Sequence, residues 1–199
     1  MLLDELKDFN IILASQSPRR HHLLKETGLS FSISHLHVID EDFPINMGKF
    51  EVPVHLAEQK SKAYSESLKE KDILITADTI VWFENAVINK PNDRKEAIDF
   101  LHRLSGNMHE VVTGMCLRGK SQMLSFYSYS EVYFADLKED EILYYVEKYK
   151  PFDKAGAYGI QEWIGYIGIH EIRGSFFNVM GLPVQLLYQK LGEFINKED

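Results

Sequence analysis

Cysteine is almost absent. Cys116 stands alone in 199 residues, so no disulfide can form within the chain, and a reducing cytoplasm is the compartment expected for it. No apolar run approaches the roughly 18 residues of a membrane span, and the short acidic stretch Met1 to Asp8 is unlike a secretory signal. Positive charge is in deficit: 22 Lys and Arg against 30 Asp and Glu give a net charge of −8. That balance argues against a nucleic-acid-binding face, which needs basic patches for the phosphate backbone. It leaves room for a small anionic ligand, because an acidic protein can gather its cations in one cleft. Gly-x-Gly-x-x-Gly, a Walker lysine loop and Gly-x-Ser-x-Gly are all missing, which removes the signatures of Rossmann, P-loop and hydrolase-elbow sites. Repeats, low-complexity tracts and Pro/Gly/Ser-rich linkers are absent too, and the length suits one domain, with either one lobe or two.

What is present is enough apolar material for a sizeable core: 45% hydrophobic residues, with 12 Phe and 10 Tyr. The most telling segment is Ser15-Gln16-Ser17-Pro18-Arg19-Arg20, directly after the apolar run Ile11 to Ala14. The run predicts a buried strand, and Ser17-Pro18 predicts an N-cap followed by proline at the first helical position. Arg19 and Arg20 then fall in the first helical turn, where unpaired N–H groups and the positive pole of the helix favour acidic residues. Two cations there call for an anion, and a phosphate would both accept the N–H groups and pair with the guanidinium groups.

The helix after Pro18 is expected to stop at Gly28, and Phe31 to Val38 has strand character. Pro53 begins a second helix with Leu56, Ala57 and Ala63 on its apolar side and Lys60 at the border. Ile73 to Ile75 reads as a short buried strand ending at Thr76-Ala77-Asp78, and Thr79–Phe83 with Ala86–Ile88 as a hairpin around Glu84-Asn85. Asn92 or Asp93 caps a third helix that ends before Gly106. Two long strands follow, around 109–118 and 123–135, then a helix from Asp136 to Tyr149. The stretch 151–182 is expected to hold short strands between glycines, and Pro183 to start a final helix. Strands alternating with helices, plus a hairpin, imply an α/β fold with a mixed sheet and covering helices.

Several residues suit chemistry. Asp78, expected just past a buried strand, is placed where open α/β sheets bind ligands, and a carboxylate there serves as base or metal ligand. Asp40, Glu41 and Asp42 form an acidic cluster of the kind that supplies Mg²⁺ with one or two carboxylates. Lys60 and Lys90 are ordinary surface lysines unless the fold brings them to the same phosphates as the arginines. In the small-residue loop Lys154 to Gln161, glycines allow close backbone approach, and the Gln161 amide offers a donor and an acceptor to a base edge. His35-x-His37 shares one strand face but lacks a third ligand, so zinc is weakly supported. Ser15 and Ser17 have no evident base partner, which favours phosphate hydrogen bonding or capping over nucleophilic attack. Cys116 reads as a small apolar strand residue.

These segments together resemble the Maf family of nucleoside triphosphate pyrophosphatases. The matching pieces are Ala14-Ser15-x-Ser17-Pro18-Arg19-Arg20, Leu56-Ala57-x-x-Lys60, Ala77-Asp78-Thr79-Ile80-Val81 and Lys90-Pro91. Leu104-Ser105-Gly106-x-x-His109 to Thr113, Asp153 to Gln161 and Asn178-Val179-x-Gly181-Leu182-Pro183 continue the match in family order. The resemblance implies a single Maf-like domain over 1–199: an elongated, two-lobed α/β fold around a central cleft, similar to the inosine triphosphate pyrophosphatases. It implies hydrolysis of a nucleoside triphosphate to monophosphate and pyrophosphate with a divalent cation, Mg²⁺ or Mn²⁺, in the cytoplasm, and a homodimer. Arg19-Arg20, Asp78-Thr79 and Gly159-Ile160-Gln161 look like the branch that prefers dTTP and UTP, rather than the branch that prefers 7-methyl-GTP.

Carried over by position, Ser15, Arg19, Arg20, Lys60 and Lys90 would hold the triphosphate, with Lys154 also at the substrate. Asp78 would be catalytic, Lys60 would assist it, and Gln161 would face the base. Glu41, or Asp40 if the match shifts by one, would join Asp78 in metal binding and catalysis. Gln161 is followed by Glu162-Trp163 where relatives usually have glycine, and Gln16 stands where glycine is commoner. The resemblance also carries two rival readings. One is a nucleotide-binding regulator of septum formation without turnover. The other is a house-cleaning activity on modified pyrimidine nucleotides such as pseudo-UTP or 5-methyl-UTP, since one added methyl changes discrimination only modestly.

Overall fold

The computed structural model describes residues 1–34, 42–44, 46–64 and 67–196. In chain order they form α1 (Leu2–Glu5), β1 (Asn10–Ala14), α2 (Pro18–Glu26), β2 (Ser32–Ser34), α3 (Glu51–Lys62), β3 (Asp72–Phe83), β4 (Ala86–Ile88) and α4 (Arg94–Leu104). Then come β5 (Met108–Arg118), β6 (Met123–Phe134), α5 (Glu139–Tyr149), α6 (Trp163–Gly168), β7 (Ile169–Arg173), α7 (Phe176–Met180) and α8 (Val184–Ile195). The strands make one seven-stranded sheet in the order β2-β1-β3-β5-β6-β7, with β4 paired to β3. β1 is parallel to both β2 and β3, while β3–β4 and β6–β7 are antiparallel. The fold is mixed α/β, as the alternation of strand and helix patterns required.

The chain divides into two compact units. One holds Met1–Asp78, Thr113–Ser128 and Gly181–Asp199, and the other Thr79–Val112 and Tyr129–Met180. In the first, β1 has a strand on either side, which is why Ile11 to Leu13 are all buried rather than alternating. Gly114 on β5 lies against the backbone of α3: a Cβ there would come within 2.2 Å of the Pro53 carbonyl carbon and 2.3 Å of the Val54 nitrogen. The second unit has its own core, in which Leu101 and Leu104 of α4 meet Ile142, Tyr145 and Val146 of α5 and Phe134 of β6.

Local signals settled most boundaries. Ser17 caps α2, its side chain accepting the Arg20 N–H, and no acidic residue occupies the first turn. Asp93, not Asn92, caps α4 by accepting the Glu96 N–H at 2.8 Å. Glu84 and Asn85 both have positive φ, 51° and 60°, the twist that a two-residue hairpin needs to pair Phe83 with Ala86.

Other expectations are corrected. α3 starts at Glu51, so Pro53 sits inside the first turn, where a missing N–H costs nothing. α5 starts at Glu139 rather than Asp136, with the Lys138 N–H held by the Glu141 carboxylate at 2.8 Å. The segment 151–182 is mostly helical turns with one strand, β7. There the glycines allow close packing: a Cβ on Gly165 would overlap the Ile160 carbonyl oxygen at 1.8 Å. The expected strand Phe31 to Val38 is seen as Ser32–Ser34, and 35–38 lie outside the described residues. The largest change concerns Asp78. Ile73 to Phe83 is part of one continuous strand, and Asp78 lies within it rather than past its end.

Candidate active site

In the first unit, β3 carries polar residues through its buried middle because α3 provides their partners. Thr76 and Asp78 are two apart on a strand and so share a face, while Ala57 and Lys60 are three apart on a helix and also share one. The Thr76 hydroxyl donates to the Ala57 carbonyl at 2.7 Å, and the Lys60 ammonium donates to Asp78 Oδ1. The two charged side chains are only 14% and 12% exposed, a setting in which an ion pair is felt more strongly than at the surface. Asp78 Oδ2 has no hydrogen-bond partner among the described residues.

The start of α2 belongs to the same neighbourhood. Leu13 is in parallel register with Ile75, so the chain leaves β1 at Ser15 level with the Thr76–Asp78 segment. Ser15 is buried, its Oγ accepts the Ser17 N–H at 3.2 Å, and its carbonyl accepts a ring N–H from His21 at 2.7 Å. Arg20 reaches across to the strand: one guanidinium N–H donates to the Ala77 carbonyl and another to the Gly181 carbonyl, both at 2.8 Å. Arg20 therefore ties α2 to the residue just before Asp78. Arg19 is half-buried in the same first turn. Ser15, Arg19, Arg20, Lys60 and Asp78 are thus gathered within one unit. Glu41 and Asp40, with His35 and His37, lie outside the described residues.

The second unit gathers Lys90, Lys154 and Gln161. The Asn89 carbonyl accepts the Gly156 N–H at 3.2 Å, which joins the exposed Lys90 segment after β4 to the small-residue loop. Gly156 has a φ of +69° and packs against Val81, so a side chain there would be strained and crowded. Lys154 is 9% exposed and sits 3.1 Å from the Glu162 carboxylate and 2.8 Å from that of Asp153. Glu162 also accepts the Tyr145 hydroxyl, which in turn accepts the Gly159 N–H at 3.0 Å. Burial, and then that bond to Glu162, push the Tyr145 phenol far above its ordinary value, so it remains a neutral donor.

Asp78 fits the divalent cation expected of this chemistry. Among the described residues no three His, Cys, Asp or Glu side chains cluster into a preformed cage. A hard ion of the Mg²⁺ type needs none, since it uses one or two carboxylates and completes its shell with water and phosphate oxygens. Cys116 takes no part: it is buried, and burial raises its thiol above the ordinary range.

A helix start with two arginines beside a carboxylate–lysine pair is a local likeness; the whole chain carries the likeness further. The model of the Maf-like protein family matches residues 10–194. The chain belongs to the Maf family. Among its relatives, a protein of Parabacteroides distasonis named dTTP/UTP pyrophosphatase is 49% identical over 193 residues, spanning 97% of this chain and 100% of the relative. A Bacteroides thetaiotaomicron protein of the same name is 47% identical over 190 residues, 96% of this chain and 98% of its own. Among solved structures, the Ham1 protein of Staphylococcus aureus aligns at a TM-score of 0.49 and 18% identity, over 92% of this chain and 98% of that one.

Two features of this Maf chain were not found by reading along the sequence. Tyr145 sits at a core position of α5, and nothing in helical spacing connects it to Glu162 seventeen residues on. Arg20 was expected to face phosphate, and its bonds to the Ala77 and Gly181 carbonyls had no local signal, since Gly181 is 161 residues away.

Proposed function

We propose that this Maf protein is a nucleoside triphosphate pyrophosphatase that hydrolyses dTTP and UTP to the monophosphate and pyrophosphate. The observation that carries the reading is the shielded Lys60–Asp78 pair on α3 and β3, beside a helix start with two arginines and no acid in its first turn. The names of the relatives at 47% to 49% identity support the same substrates. The reading takes the chain as one Maf domain working as a cytoplasmic homodimer. Among the described residues, no helix is long and apolar enough to cross a membrane.

In this mechanism water attacks the α-phosphorus and the bond to the α,β-bridging oxygen breaks. Asp78 orients that water and takes its proton at the carboxylate, while Lys60 holds Oδ1 and fixes the carboxylate's direction. Asp78, with Glu41 from the family resemblance, would hold Mg²⁺ or Mn²⁺, whose charge offsets that gathering on the leaving pyrophosphate. Arg19, Arg20, Lys60 and Lys90 stabilise the same developing charge, and the Ser15 hydroxyl donates to a phosphate oxygen. Arg20 also keeps Asp78 in place through Ala77. Lys154 assists at the substrate, and Gln161 reads the base.

The test is a pyrophosphate-release screen over standard and modified triphosphates with Mg²⁺ or Mn²⁺. UTP and dTTP should be turned over, and Asp78→Asn should lower kcat by about a thousandfold or more, the loss expected when a group acting in the transition state is removed. Near-normal dTTP hydrolysis by that variant would remove Asp78 from the chemistry, and activity confined to GTP-type substrates would refute the pyrimidine assignment.

A further inference from the structure

Glu162 has no part in the chemistry assigned to Asp78, yet both of its carboxylate oxygens are engaged. Oε1 lies 3.1 Å from the Lys154 ammonium, and Oε2 accepts the Tyr145 hydroxyl. Tyr145 comes from the buried face of α5, where its ring stacks on Tyr149 with centroids 5.1 Å apart, which limits where its hydroxyl can point. The same hydroxyl accepts the Gly159 N–H at 3.0 Å, and the Glu162 N–H closes the turn on the Gly159 carbonyl at 2.9 Å. Glu162 is therefore held both at its backbone and at its carboxylate. Gly159 leaves the room for this: a Cβ there would come within 2.9 Å of Glu162 Cδ.

A lysine has a flexible four-carbon stem and three N–H donors at its end. A buried ammonium without a partner is costly, so something must hold it. At Lys154 two carboxylates do so, Asp153 at 2.8 Å and Glu162 at 3.1 Å. Asp153 is the nearer, but its side chain is 62% exposed against 19% for Glu162. Water screens the Asp153 pairing, and the shielded one with Glu162 is the stronger. Two of the three donors are thereby assigned, and the third suits a phosphate oxygen. An ammonium already in place gives up less freedom when that oxygen arrives, which strengthens binding without any new contact.

We propose that Glu162 is a positioning residue: braced by Tyr145, its carboxylate holds the Lys154 ammonium ready for the triphosphate. This rests on the reading that Lys154 meets the substrate. Glu162 itself touches no reacting atom, and its effect on turnover runs through Lys154.

The experiment measures kcat and KM for UTP by pyrophosphate release in the wild type, Glu162→Gln, Lys154→Met and the double variant, with folding checked by circular dichroism. Glu162→Gln keeps the size and an acceptor for Tyr145 but removes the charge that holds Lys154. KM should rise about tenfold in Glu162→Gln with kcat within about twofold, the pattern of lost binding rather than lost chemistry. In the Lys154→Met background the same substitution should change KM by less than about twofold, because the residue it acts through is gone. Tyr145→Phe frees one end of the brace and should raise KM by less; it takes the place of Glu162→Gln in the cycle if that variant does not fold. A merely structural role would give the same loss with and without Lys154, and that result overturns the proposal. So does a KM that falls in Glu162→Gln, the sign of a carboxylate that only competes with phosphate for the ammonium. A wild-type KM in Lys154→Met overturns it too, while leaving the pyrophosphatase reading intact. A wild type that turns over neither UTP nor dTTP removes the reading and the proposal with it.

Discussion

His109 shows how far a single residue can be set by its surroundings. It is buried on β5 with its Nε2 at 2.7 Å from the Tyr158 hydroxyl and its Nδ1 without a partner, packed against the rings of Phe134 and Tyr158. Burial pushes its pKa down to about 3 from the ordinary 6.5. Between those values the unfolded chain binds a proton that the folded chain refuses, so stability falls as the pH drops below about 6.5. From pH 7.5 to 5 this group alone should cost about 2 kcal/mol. Urea unfolding of wild type and His109→Gln at the two pH values checks it: the variant should lose markedly less stability on acidification. The same scale separates what was legible from what was not. Ser17 as a cap and Asp93 as a cap are local chemistry, readable from a few neighbours. The bond from Arg20 to the Gly181 carbonyl joins residues far apart in the chain, and no spacing announces it.

Among the elements, β3 carried the main surprise. Thr76 and Asp78 looked like the end of a strand because polar residues usually mark one. They remain inside it because α3 supplies a carbonyl to Thr76 and an ammonium to Asp78 Oδ1, so each side chain is buried with a partner. The pairing depends on how closely α3 approaches the sheet, and Gly114 is the residue that allows it. Gly114→Ala would drive a Cβ into the Pro53–Val54 backbone, which cannot yield as a flexible side chain can. The expected cost is about 3 kcal/mol, a fall in Tm of roughly 6–12 °C for a protein of this size. A thermal melt checks it; a Tm within a degree of wild type would mean that α3 moves away without penalty.

At the scale of the whole molecule, the acidity of the chain and the anionic substrate proposed for it together have a consequence for cations. With a net charge of −8, the protein repels a free triphosphate at long range, and a divalent cation that travels with the phosphates reduces that repulsion. The proposed cation completes its shell with water and phosphate oxygens of the substrate, so it should serve turnover rather than folding. Chelation with EDTA should abolish pyrophosphate release, restored by excess Mg²⁺, and leave the Tm within about 2 °C, less than the loss of 1 kcal/mol produces at this chain length. A large fall in Tm on chelation would instead indicate a structural ion.

By itself the sequence determined the mixed α/β class and most element boundaries, because caps, turns and apolar runs act over a few neighbouring residues. The ordered Maf segments, from Ser15 to Pro183, extended that to the family. Only the tertiary structure decided that Asp78 lies inside a strand against Lys60, that Arg20 bonds to the Ala77 and Gly181 carbonyls, and that Glu162 stands between Tyr145 and Lys154. Each of these contacts joins residues on different elements. Their chemistry depends on burial and distance, and neither quantity exists until the chain has folded.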